Sequence, residues 1–172
     1  MPGLPATIDP VLLAEKGARL TGALSFKTLP RLADSCRNPT GTVDVDLEFA
    51  REEGGNVRVM SGVLRAQAKL TCQRCLEEMD YELRSEPRVV LLRPGEPEQA
   101  LAPEVDSLTV DKPVALATLV EDELLLVMPM IPLHDLEQCP ARSWVESDKT
   151  ETAGRSGTNP FAALEQLKRD GH

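Results

Sequence analysis

Cys72 and Cys75, in Thr71-Cys72-Gln73-Arg74-Cys75-Leu76, have the spacing that lets two thiolates grip one tetrahedral metal ion from a single tight turn. Farther along, His134-Asp135-Leu136-Glu137-Gln138-Cys139 offers an imidazole and another thiol. A fold that brought the two segments together would complete a zinc set of three cysteines and one histidine, with Asp135 orienting His134 from behind. Four protein ligands leave no open position for water, so such a site is structural. The plainer alternative is that the cysteines are small buried side chains and His134 packs at the end of a proline-rich segment. Thiol redox chemistry fits less well. It draws on a helix N-terminus to lower the thiolate pKa, whereas this pair lies between two expected strands. Cys36 has no partner at a ligand spacing and reads as an ordinary thiol.

Glu121-Asp122-Glu123 is the other cluster that invites a chemical reading. Helical spacing puts it mostly off the apolar stripe. It therefore reads as a solvated face, available to a basic partner, rather than as a catalytic or metal-binding group. There is no GxSxG, no phosphate-binding loop, no GxGxxG after a strand and no second internal histidine. No set of residues supplies a nucleophile, a base and an electrostatic clamp together, so the chain reads as non-enzymatic, without a small-molecule substrate. Arg65 and Lys69 share one face of an expected strand, Arg84 and Arg88 share a face of the next, and Arg74 sits in the cysteine turn. Together they offer a basic face to RNA phosphates, with an ordinary solvated sheet face as the bland alternative.

The elements that must position these residues follow from pattern. Val43, Val45, Leu47 and Phe49 alternate with Asp44, Asp46 and Glu48, which predicts a strand with one buried face. A second strand is expected over residues 57–72. Its apolar parity switches from Val57, Val59 and Val63 to Leu64, Ala66, Ala68 and Leu70, so a bulge or bend is expected near Gly62. A third strand is expected over residues 81–92 and a short one over 107–110. Short helical turns are expected at residues 11–14 and 29–35 within an otherwise irregular first forty residues. The main helix is expected over residues 113–127, with Asp111 as cap, Pro113 in the first turn and Pro129 as stop. The fold class is α+β: a curled, mainly antiparallel sheet covered by that helix, with a closed small barrel as the alternative. One domain is expected over residues 1–142, a flexible polar linker over 143–158, and a short helix and tail over 159–172.

Composition narrows the function. The chain has 172 residues, and 41% are apolar, which suffices for one globular core. Aromatics are only 3%, too few for a base-stacking platform. The net charge of −9 repels a polyanion from the average surface. The charge is uneven: residues 98–123 carry seven acids against one base, and residues 58–93 carry seven bases against five acids. An acidic face for a basic partner and a milder basic face are both expected. No stretch has signal-peptide or membrane-span length, and four cysteines do not form a secreted disulfide framework, so a reducing cytoplasm is expected.

Six short segments form a wider pattern. They are Ile8-Asp9-Pro10, Leu70-Thr71-Cys72-Gln73-Arg74-Cys75, Val120-Glu121-Asp122-Glu123-Leu124-Leu125-Leu126, Met128-Pro129-Met130-Ile131-Pro132-Leu133-His134-Asp135, Cys139, and Asn159-Pro160-Phe161-Ala162. In this order they resemble the bacterial large ribosomal RNA subunit accumulation proteins, the YceD-like family, over nearly the whole chain. The resemblance implies a cytoplasmic ribosome-biogenesis factor that supports accumulation of the large-subunit (23S) ribosomal RNA. Family members look similar at Cys72, Cys75, His134 and Cys139. Contact with a ribosomal or assembly protein is the expected mode of action, and direct RNA binding through the basic face is the alternative.

Overall fold

The alternating run becomes β3, Thr42–Arg51, and its apolar residues Val43, Val45, Leu47 and Phe49 all point into the core. The computed structural model describes residues 3–52, 57–96 and 106–144. In chain order these hold β1 (Thr7–Ile8), α1 (Pro10–Lys16), β2 (Arg19–Ser25), a 3-10 turn (Phe26–Thr28), α2 (Pro30–Ser35), β3, β4 (Arg58–Thr71), β5 (Glu78–Ser85), β6 (Arg88–Leu92), β7 (Ser107–Thr109), β8 (Val114–Ala115) and α3 (Leu116–Leu126).

β4 is the spine of the sheet. It runs antiparallel to β3 along one edge, and along the other it meets β5 with its second half and β6 with its first. β5 and β6 keep one register on β4, Leu64 opposite Ser85 and Ser61 opposite Arg88, so they are a single expected strand interrupted at Glu86-Pro87. Proline has no N–H to give the ladder, and the interruption falls where it stands. β7 joins β6 in parallel and β2 lies beyond β3, giving the order β2-β3-β4-β6-β7. Among the described residues this path is open, and the sheet does not close into a barrel.

The parity switch in β4 comes without a bulge in its pairing with β3. Pairing with β3 continues unbroken through Asp46–Val63, Leu47–Gly62 and Glu48–Ser61. Gly62 has φ of 152°, and a Cβ there would stand 2.1 Å from the Asp46 carbonyl oxygen. Only glycine lets the two backbones approach so closely.

Two elements depart from expectation. β2 lies in the segment read as irregular. It pairs along its length with β3, but its only large apolar residues, Leu20 and Leu24, are half-buried on either side of Gly22. The main helix starts at Leu116, and Ala115, not Asp111, is its cap. Val114 and Ala115 are held extended instead by pairing with Ile8 and Thr7, which postpones the helix past Pro113. At the start of the chain Asp9 caps α1, its Oδ1 accepting from the Leu12 amide at 3.0 Å. That bond, with the Arg93 guanidinium 3.0 Å away, holds the Asp9 carboxyl below its ordinary pKa. Ile8-Asp9-Pro10 is thereby accounted for.

The chain clusters into two compact units, Met1–Leu133 and His134–His172. In the second unit the described residues end at Trp144, so the linker expected over 143–158, beyond its first two residues, and the helix and tail expected over 159–172 lie outside the described residues. Among the described residues no helix is long and apolar enough to cross a membrane.

Candidate metal centre

Residues 72–75 turn the chain from β4 into β5. Two backbone bonds close the turn: the Cys72 amide donates to the Glu77 carbonyl at 2.9 Å and the Leu76 amide to the Cys72 carbonyl at 2.9 Å. Closing it puts Leu76 in the left-handed region with φ of 62°. Arg37 braces the turn from outside. Its amide donates to Lys69 at 2.7 Å and its Nη1 to the Leu76 carbonyl at 3.0 Å. The proline-rich segment docks on the same turn, the Gln73 amide donating to the Pro132 carbonyl at 2.9 Å. Chain continuity brings His134 two residues past that anchor. A short turn then follows, with the Gln138 amide donating to Asp135 at 3.0 Å and the Cys139 amide to Leu136 at 3.4 Å.

One ligand atom from each of Cys72, Cys75, His134 and Cys139 lies within 4.8 Å of the others. Cys72 and Cys139 are buried, and Cys75 and His134 are half-buried. Donors about 2.0–2.3 Å from a tetrahedral zinc ion stand about 3.3–3.8 Å apart, so a contraction of about 1.5 Å at most brings this group to metal-binding geometry. The donor set of three sulfurs and one imidazole fits zinc, and all four cysteines are outside disulfides. Cys36 is not in the group, and burial pushes its thiol pKa up.

The acidic triplet divides three ways. Glu121, expected on a solvated face, is buried at 3% exposure. Its carboxylate accepts from Arg31 Nε at 2.8 Å and from the Leu32 amide at 3.1 Å. α2 has no side-chain cap of its own, and Glu121 supplies one from α3. The position follows the apolar stripe because its partner, not water, satisfies the charge. Asp122 is exposed and accepts from Arg31 Nη2 at 2.6 Å. Glu123 is half-buried under the Ser85 hydroxyl at 3.4 Å, and burial pushes its carboxyl above the ordinary value. Glu121→Ala strands the Leu32 amide and the Arg31 guanidinium. It is expected to cost about 2 kcal/mol in urea unfolding, against a few tenths for Asp122→Ala. Equal midpoints for the two variants would contradict the capping role.

The basic residues do not form one field of free charge. Arg65 stands opposite Arg84 on β5 and opposite Asp44 on β3. Lys69 Nζ pairs with Glu78 at 2.8 Å and Asp80 at 3.1 Å, Arg84 pairs with Glu86, and Arg88 pairs with Glu52. Arg74 is half-buried, with its Nη1 buried and lacking a hydrogen-bond partner. Arg37 escaped the sequence reading altogether, since its contact with Leu76 spans 39 residues and leaves no local pattern.

The family model described as "Large ribosomal RNA subunit accumulation protein YceD" matches residues 60–168, which include all four candidate ligands. The protein of that name from Haemophilus influenzae strain Rd is 30% identical over 170 residues, covering 96% of this chain and 97% of the relative. No solved structure matches. With the family model matching most of the chain and a relative similar from end to end, this chain belongs to the YceD family of large ribosomal RNA subunit accumulation proteins.

Proposed function

We propose that the chain is a non-enzymatic cytoplasmic factor that supports accumulation of large-subunit ribosomal RNA through contact with a ribosomal or ribosome-assembly protein. The observation that carries this reading is the end-to-end similarity to a relative named for that role. The net charge of −9 supports a protein contact over an RNA contact, because a basic partner is attracted and a polyanion is not. Cys72, Cys75, His134 and Cys139 would hold a zinc ion that supplies cross-linking and no reaction, since four protein donors would leave no open coordination position.

Direct RNA binding is the second reading. Arg65 and Arg84 are opposite one another on neighbouring strands, a like-charge pair that an anion between them would relieve. The carboxylates beside Lys69, Arg84 and Arg88 already satisfy much of this face, which ranks it second.

One experiment addresses both readings. A deletion strain is profiled for its ratio of large- to small-subunit ribosomal RNA, and tagged chain is purified from the complemented strain with and without nuclease. The expected result is a lowered ratio on deletion and a basic protein partner that survives nuclease and dissociates in salt. A partner lost on nuclease treatment favours direct RNA contact. In that case Arg65→Glu with Lys69→Glu weakens RNA binding and flattens its logarithmic salt slope by about 2. An unchanged ratio in the deletion strain refutes the role itself.

A further inference from the structure

Between α3 and the β6–β7 edge of the sheet lies a groove of about 540 Å3. Its walls are apolar: Met60 and Val89 from the sheet, Leu108 from β7, Val114 from β8, and Leu119 and Leu126 from α3. Leu126 is 80% exposed at its edge, an apolar side chain of the helix left uncovered. The volume lies in the range of about 300–1,000 Å3 typical of ligand-binding clefts. Among the described residues, Asp106, Asp122 and Glu123 line it against a single cation, Lys112. Asp122 is already held by Arg31. Burial and the nearby Asp106 and Asp122 carboxylates both disfavour charge on Glu123.

We infer that this groove receives a short basic segment of a partner protein, with an apolar side chain between α3 and the β6–β7 edge and a lysine or arginine against Glu123 and Asp106. The apolar walls give nothing to a phosphate backbone, and the carboxylates repel one. An arginine or lysine fits both surfaces, because its aliphatic stem lies along the wall while its charged head meets the acids. Removal of water on docking strengthens the pairing with a carboxylate that is half-buried before the partner arrives. The inference rests on the protein-contact reading and locates the contact on α3.

The test uses the full chain and a short fluorescein-labelled peptide of leucine and arginine, read by fluorescence anisotropy. Control peptides replace arginine by glutamate or leucine by serine. Thr118 lines the groove from the exposed side of α3, so Thr118→Trp fills it from above without removing a core residue. Asp106→Asn with Glu123→Gln removes the charge and keeps the shape, and serves if Thr118→Trp does not fold. The leucine–arginine peptide is expected to bind, both controls to bind worse, and either groove variant to weaken binding by about tenfold, the scale of losing one anchor side chain. Glu86→Gln, outside the groove, changes nothing. Equal binding by wild type and the groove variants overturns the inference. So does a dimer in sedimentation that Thr118→Trp dissolves, since the groove then holds a second copy of the chain. An unchanged ribosomal RNA ratio in the deletion strain refutes the cellular role alone, because the peptide measurement decides the groove.

Discussion

One zinc ion per chain is expected in metal analysis of the purified protein, with the ion lost in Cys72→Ser. The ligand atoms of Cys72, Cys75, His134 and Cys139 already lie within 4.8 Å, so little reorganisation opposes binding. An ion that binds only the folded chain, present at about a thousand times its dissociation constant, adds about 4 kcal/mol of stability. Chelation and Cys72→Ser should each lower the unfolding free energy measured in urea by that scale, and together they should not add, because both remove the same ion. The β3–β4 core contains none of the ligands, so the apo chain stays folded and the effect concentrates in residues 72–77 and 134–139. Hydrogen exchange should show these amides, including the Cys72 amide bonded to Glu77, exchanging faster without metal while Val45 and Leu47 stay protected. A wild type that is metal-free and indifferent to chelator would leave the cysteines as ordinary buried thiols.

Gly62→Ala is expected to destabilise the chain by about 3 kcal/mol. The added Cβ would stand 2.1 Å from the Asp46 carbonyl oxygen and 2.9 Å from Leu47 Cα, both backbone atoms that no side-chain rotation can move aside. Overpacking and an unfavourable φ combine at this residue, each on the scale of about 1–3 kcal/mol. The strands must separate at the middle of the β3–β4 ladder, where Leu47 is fully buried. Chemical unfolding measures the loss, and Gly41→Ala is the control. Gly41 also has a positive φ, 113°, but no atom lies within 4 Å of its missing Cβ, so only the conformational part of the cost applies. Equal costs at the two sites would show that close backbone approach is not what Gly62 provides.

Much of the fold was legible because it is written in local patterns. The strict alternation of β3 specifies a buried face, and the change of parity in β4 marks Gly62, where the two backbones approach closely. Asp9-Pro10 opens α1 and Gly17, with φ of 62°, ends it, as a cap, a first-turn proline and a left-handed terminus should. β2 was not legible, because an edge strand half-buried through Leu20 and Leu24 carries too few apolar residues to signal its period. The start of α3 misled for a related reason. Asp111 and Pro113 form a good local signal, and pairing with Thr7 and Ile8, about a hundred residues away in sequence, overrides it.

The sequence by itself determined the chemistry on offer: three thiols and an imidazole of metal-ligand type, an acidic balance, no catalytic constellation, and an order of short motifs that points to one family. The tertiary structure decided which of these residues act together. It gathered the four candidate ligands, turned Glu121 inward to cap α2, matched most of the basic strand residues with carboxylates, and opened an acid-lined groove beside α3. Residue type and spacing set what a side chain can do, but each of these outcomes depends on contacts between residues distant in sequence, such as Arg31 with Glu121 across 90 residues, and such contacts leave no period in the chain.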